Sequence, residues 1–198
     1  MSLLRTFLKR FCLSAMTAVA LTAVAVPSAA SATTLEVGGV AQNKSVELIA
    51  TLKSGTSLHI EDEFGMTTDV CGTSEIKGKT EGTFTNTSIG GNVSALSFGN
   101  CTHSTSVDAR GSFSISWTSG TNGNLISAGA EVTVTSTWWG VIALCKTGTG
   151  TKLGTITGTS SGHATIDLNA IVNCGIIGNA TWTGTYTVTS PTGLGVMS

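Results

Sequence analysis

The sequence predicts an all-β protein: an antiparallel β-sandwich or barrel of about ten or more short strands, closed by two disulfides. Three observations predict it. Beyond residue 32 the chain holds all 25 glycines, with 31 threonines and 19 serines, so that 75 of its 166 residues are Gly, Thr or Ser. Apolar and polar residues alternate at a period of two in several stretches, the pattern of a half-buried strand. Four cysteines remain in that segment, an even number. Long amphipathic helices need more Ala, Leu, Glu and Lys, and disordered chains carry more charge and fewer β-branched residues.

The N-terminus reads as an export signal over residues 1–32. Arg5, Lys9 and Arg10 precede an uncharged apolar run from Phe11 to Val26, and Pro27 ends that run. Ala30-Ser31-Ala32 then supplies the small-x-small pattern of a cleavage site. No second apolar stretch follows, so residues 33–198 are expected to form one β-rich domain without a transmembrane segment. Removing the signal leaves seven basic and eleven acidic residues, a net charge of −4. Arg110 is the single arginine of that domain and its lysines are scattered. A phosphate backbone needs clustered cations, so nucleic acid is not an expected partner.

The strands follow in order. Val46–Leu52 and Leu58–Ile60 are short candidates separated by the turn signal Lys53-Ser-Gly55, and Asn43-Lys44 precedes them. Ala95–Phe98 comes next, behind Gly90-Gly-Asn92, which reads as a turn. Phe113, Ile115 and Trp117 alternate with serines, and Val132 and Val134 with threonines, on either side of Ser119–Gly123. Trp138-Trp139-Gly-Val-Ile-Ala-Leu144 is apolar at nearly every position, which predicts a central strand covered on both faces. Lys152–Gly158 and the Ile166/Leu168 alternation flank Ser160-Ser-Gly162. The clearest alternation is the last, where Trp182, Tyr186 and Val188 share one face and Thr181, Thr183, Thr185, Thr187 and Thr189 the other.

Four cysteines allow three connectivities in an oxidising compartment. Cys71 and Cys101 lie 30 positions apart, and Cys145 and Cys174 lie 29 apart, a repeated spacing that favours pairing within each set. Related phrases surround them: Cys71-Gly-Thr and Cys145-Lys-Thr at the start, Phe98-Gly-Asn-Cys101 and Ile171-Val-Asn-Cys174 at the end, then Trp117-Thr and Trp182-Thr. Together they suggest a weak internal duplication, 71–117 and 145–182. Zinc ligands come in close pairs such as Cys-x-x-Cys, and none exists here, so no metal is expected.

Several motifs fail on inspection. Gly158-Thr-Ser160-Ser-Gly162 fits the spacing of a nucleophile elbow with His163 beside it, but the alternating Ala164–Leu168 follows where a helix is required. Gly78-Lys-Thr80 lacks the first glycine of a phosphate loop. Glu61-Asp-Glu63 with Asp69 lacks EF-hand spacing. With no convergent acid, base, nucleophile or metal cluster, neither an enzyme nor a cofactor is expected. Adjacent Trp138 and Trp139 remain candidate ligand contacts, since one of two neighbours on a strand faces away from the other.

The C-terminal half resembles a family of uncharacterised secreted, β-rich bacterial proteins. Cys145, Lys152-Leu-Gly-Thr-Ile-Thr-Gly158, Ala164-Thr-Ile-Asp-Leu168, Cys174 and the closing Ala180-Thr-Trp-Thr-Gly-Thr-Tyr-Thr-Val-Thr-Ser-Pro191 carry the resemblance. It implies export and a β-rich body and adds no mechanism. The expected function is a non-enzymatic exported domain with a structural or surface-interaction role and a cell-envelope or extracellular partner. The alternative is a carrier of a small apolar or sugar ligand, using the aromatic residues of the Trp138-Trp139 strand.

Overall fold

A computed structural model describes residues 32–82, 87–136 and 141–198. The expected export signal therefore lies outside them but for Ala32, as do Trp138 and Trp139. The described residues run through β1 (Thr34–Val37), β2 (Val40–Ala41), β3 (Glu47–Leu52), β4 (Leu58–Asp62) and β5 (Thr67–Thr80). They continue through β6 (Ile89–Cys101), β7 (Ser104–Arg110), β8 (Ser112–Ser119), β9 (Asn122–Ser127) and β10 (Glu131–Ser136). β11 (Val141–Lys146), β12 (Lys152–Thr157), β13 (Thr165–Asn173), β14 (Asn179–Ser190) and β15 (Leu194–Met197) complete the chain, with one 3-10 turn at Gly175–Ile177.

Alternation in the sequence becomes the two faces of a wall. In β14, Ala180, Trp182, Tyr186 and Val188 are buried, while none of the five threonines between and after them is. In β13, Ile166, Ala170 and Val172 are buried and Asp167, Asn169, Ile171 and Asn173 are exposed. Threonine suits a solvated strand face because its branched Cβ fits the pleat and its hydroxyl keeps water contacts.

The architecture is a closed barrel, which settles the choice between barrel and sandwich. Each of β3, β5, β6, β8, β9, β12, β13 and β14 pairs antiparallel with the next, and β14 pairs back onto β3 to close the ring of eight. Four positions around the ring are filled by single strands: β5, β6, β13 and β14, of 14, 13, 9 and 12 residues. Two shorter strands in succession fill each of the others: β3 then β4, β7 then β8, β9 then β10, β11 then β12. β4 lies between β14 and β5 beyond the end of β3, and β10 joins β7 to β11 in the same extension. The chain thus goes up and down eight times, each pass beside the last, the simplest route to a sheet with no edges.

Glycine makes two of the breaks. Gly111 (φ +103°) separates β7 from β8, and Gly129 (φ +107°) stands just before β10. A Cβ on Gly111 would sit 2.3 Å from the Gly129 carbonyl oxygen, so the two kinks touch and neighbouring passes bend together. Glycine also explains a turn that does not form. Gly90-Gly-Asn92 lies within β6, and a Cβ on Gly91 would meet the Phe113 ring at 2.5 Å. Gly91 makes room for an aromatic ring on the neighbouring strand.

One end of the barrel is capped by the small sheet β15-β1-β2. Leu35, Leu194 and Val196 of that sheet share a core with Ile115, Ile156, Tyr186 and Val188 of the wall. Backbone bonds fasten the cap to the rim, Val196 N–H to Thr121 O and Thr159 N–H to Leu194 O, both at 2.9 Å. A second core fills the other end, formed by Ile60, Val134, Ala143, Val172, Ala180 and Trp182 around the Cys145–Cys174 bridge.

Both disulfides join the cysteines that the repeated spacing paired, Cys71–Cys101 and Cys145–Cys174. Cys71 and Cys101 are direct partners across β5 and β6. Cys145 and Cys174 span β11 and β13, a seam at which a single backbone pair, Lys146 with Asn173, is formed. The bridges thus lie on opposite sides of the ring, each holding a pass to its successor. The tryptophans of the repeated phrases differ: Trp182 is buried, whereas Trp117 is 38% exposed at the capped end. The strand expected over Trp138–Leu144 is not covered on both faces in its described part. β11 is part of the wall, with Ala143 and Cys145 turned in and Leu144 47% exposed outside.

Candidate functional site

Two core clusters meet inside the barrel without filling it. Between them lies a cavity of about 130 Å³. Ile76, Phe98, Phe113, Leu168, Trp182 and Tyr186 form much of its wall. The small side chains Ala50, Gly78, Ala109 and Ala170 leave the space that larger ones would occupy. Its lining extends to Arg110 and Glu131 at the β7 and β10 ends, where their charged groups are solvated and paired with Asp108 and Lys146. The cavity therefore runs toward the wall at the glycine kinks.

Among the described residues, one buried side-chain polar atom has no hydrogen-bond partner. The Tyr186 hydroxyl donates to Ser74 Oγ at 3.0 Å. Burial pushes the Tyr186 phenol up to about 12, against the smaller opposing effect of the Ser74 hydrogen bond. Thr147 Oγ1 lies 2.6 Å from Ser127 Oγ and donates to the Ala130 carbonyl. Trp182 is different. It is 4% exposed, and its indole Nε1–H has no hydrogen-bond partner among the described residues. Phe98 packs edge-on against the ring, centroids 5.6 Å apart. A buried N–H left unpaired costs about 1–3 kcal/mol.

The residues singled out from sequence fall elsewhere. Cys71, Cys101, Cys145 and Cys174 are structural bridges. Trp138 and Trp139, the candidate ligand contacts, lie outside the described residues. Gly158–Gly162 is a loop between β12 and β13, strand to strand with no helix, and His163 Nδ1 sits 2.9 Å from the Val188 carbonyl oxygen. Gly78-Lys-Thr80 runs along β5 and makes no loop. Asp62 caps the β4–β5 turn, accepting from the backbone N–H groups of Phe64 and Met66 at 2.9 Å. Asp69 points at the Cys71–Cys101 bridge, the one grouping of metal-ligand types among the described residues. Its sulfurs are already bonded to each other, and the Thr102 hydroxyl and His103 N–H both donate to Asp69 Oδ1. This carboxylate holds the β6–β7 corner in place.

Trp182 and Tyr186 were visible in the sequence as residues sharing one face, but nothing marked them as cavity lining. The signal available was their company: two large aromatics flank Gly184 on the inward face, with Ala180 beyond, so bulk alternates with gaps.

Comparison with protein-family models, curated proteins and solved structures finds no match. No helix among the described residues is long and apolar enough to cross a membrane. Two disulfides accord with an oxidising compartment.

Proposed function

We propose that this chain is an exported, non-enzymatic binder of one small apolar ligand, held inside the barrel. The cavity carries this reading. It lies within the ring of eight strands and opens in part toward Arg110 and Glu131, is lined mainly by aliphatic and aromatic side chains, and is comparable in volume to cavities of about 150 Å³ that take up benzene. Eight strands give an interior wide enough for one small guest. The guest belongs to the class of compact rings and short branched chains, and the size disfavours sugars and lipid tails. Trp182 in the wall supplies an intrinsic reporter. Benzene, toluene and methylcyclohexane added to the oxidised domain are expected to alter tryptophan emission saturably and raise the unfolding temperature. Ala170→Leu, which projects three further carbons into the cavity, should abolish both responses while the domain stays folded. Absence of a saturable response to every probe would sink the reading.

A surface-interaction role keeps support from one observation. Phe64 and Met66 at the β4–β5 turn are 79% and 62% exposed, and Ile176 on the adjacent β13–β14 turn is fully exposed. Glu63 stands next to Gly178, so the two turns are neighbours at the uncapped end. Co-sedimentation with the host's envelope fraction, lost on Phe64→Ser with Ile176→Ser, would support this role. Unchanged sedimentation would remove it.

A further inference from the structure

We infer that the ligand enters and leaves through the seam between β6 and β7, with Val107 as its gate. The inference rests on the ligand-binding reading and adds the route. A guest inside a barrel must pass the wall, and a wall parts where the fewest bonds cross it. Neighbouring passes are laced by backbone ladders of four or more residue pairs, from the four of β3–β14 to the nine of β5–β6 and β13–β14. Two seams in the extension beyond the ring of eight lack such lacing. At one, β11 has a single pair to β13, and the Cys145–Cys174 bridge bolts it shut. At the other, among the described residues, β7 forms its ladder with β10 and has none to β6.

β7 is held to β6 at its two ends. Asp69 fixes the Thr102-His103 corner at one, and Val93 N–H donates to the Gly111 carbonyl oxygen at 3.0 Å at the other. Between them the seam is closed by side chains. Leu96 and Phe98 from β6 and Val107 from β7 pack on the same buried cluster, each of them partly exposed. The cavity lies behind this closure, since Leu96 and Phe98 on one side and Ala109 and Arg110 on the other belong to its lining. Gly111 and Gly129, both with positive φ, stand at the foot of β7 and β10, where the two paired strands can bend outward together. Val107 lies outside the described lining, so it governs passage without touching the seated guest.

The test measures toluene entry and release by stopped-flow tryptophan emission and exchange NMR, in the wild-type domain, Val107→Ala and Ile177→Ala. Ile177 packs on the same cluster from the 3-10 turn beside β11, so its truncation is the control at the bolted seam. In Val107→Ala both rates are expected to rise by about fivefold with the dissociation constant unchanged within about twofold, because a gate alters the barrier and not the end states. Ile177→Ala should leave both rates within about twofold of wild type. Amide exchange in the wild-type domain gives a second readout that needs no variant. β7 should open well below the global unfolding free energy, and β13, laddered to β12 and β14, close to it. Rates unchanged in Val107→Ala or raised equally in Ile177→Ala, toluene release no faster than global unfolding, or β7 exchanging as slowly as β13 would each overturn the gate while the cavity stands. If toluene does not bind the wild-type domain, the ligand-binding reading fails and takes the route with it.

Discussion

Tyr186 is the only tyrosine of the chain, so its ionisation can be followed without interference from a second phenol. It is wholly buried, and its proton leaves at about pH 12 in the native state against 10.0 for an exposed phenol. Below pH 10 both native and unfolded forms keep the proton, and stability owes nothing to it. As pH rises from 10 to 12 the unfolded chain releases the proton and the native protein does not, so stability falls. The loss reaches about 3 kcal/mol in all, from roughly 1.4 kcal/mol per unit of displacement, and ceases above the native value. Tyrosinate absorbance should therefore show a midpoint near 12 in buffer and near 10.0 in denaturant. Denaturant unfolding of wild type and Tyr186→Phe supplies the second half. The variant is expected to lose about 0.5–1.5 kcal/mol at neutral pH, because Ser74 loses its donor, and to lack the alkaline decline due to the phenol. Lysines titrate in both proteins, so the difference between the two curves isolates Tyr186. A native midpoint near 10.0, or a difference constant across the alkaline range, would refute the reasoning.

Three other outcomes are expected. Replacing Cys71 and Cys101 together by serine, or Cys145 and Cys174 together, should each cost about 3–4 kcal/mol in denaturant unfolding, since the closed loops are of nearly equal length. Amide exchange separates the two: loss of Cys145–Cys174 should speed exchange in β11, which has one backbone pair to β13, far more than loss of Cys71–Cys101 speeds it in β5. Gly158→Ala should destabilise by about 1–3 kcal/mol, because its Cβ would fall 2.1 Å from the Thr121 carbonyl oxygen and 2.8 Å from Gly195 Cα, backbone on both sides.

Legibility in the sequence followed from which residues each strand turns inward. β8, β10, β13 and β14 carry large apolar residues on their inner faces, so alternation identified them nearly to their ends. β5 is the longest strand and was missed. Its inner face reads Asp69, Cys71, Ser74, Ile76, Gly78 and Thr80, with Ile76 the single large apolar side chain among small or polar ones. These groups are buried because each has a specific partner: Thr102 and His103 for Asp69, Tyr186 for Ser74, and the backbone of Val46 for Thr80. Such pairing leaves no hydrophobic period to detect. Gly90-Gly-Asn92 misled for a related reason, since glycine's missing Cβ served a ring on the next strand. Barrel closure was equally invisible. It depends on β14 meeting β3, and the Thr189 hydroxyl reaches the Ile49 carbonyl from 140 positions away. The disulfides were legible because spacing survives when local pattern does not.

The cavity and the composition have one cause. A chain so rich in small residues spells turn and loop motifs freely, and that is why the nucleophile elbow and the phosphate loop were decoys. The same smallness works on the inner face. A closed ring of eight strands has an interior set by strand number and tilt, and it cannot contract around small side chains as a helical bundle can by sliding its members together. Where Ala50, Gly78, Ala109 and Ala170 face inward, the missing carbon is not recovered by movement of the wall. The aromatic residues that could fill the gap are few, and Phe98, Phe113, Trp182 and Tyr186 stand around it instead of across it. Space inside this barrel is thus a consequence of how it closes, and the carbon to fill it must come from a larger side chain or a guest.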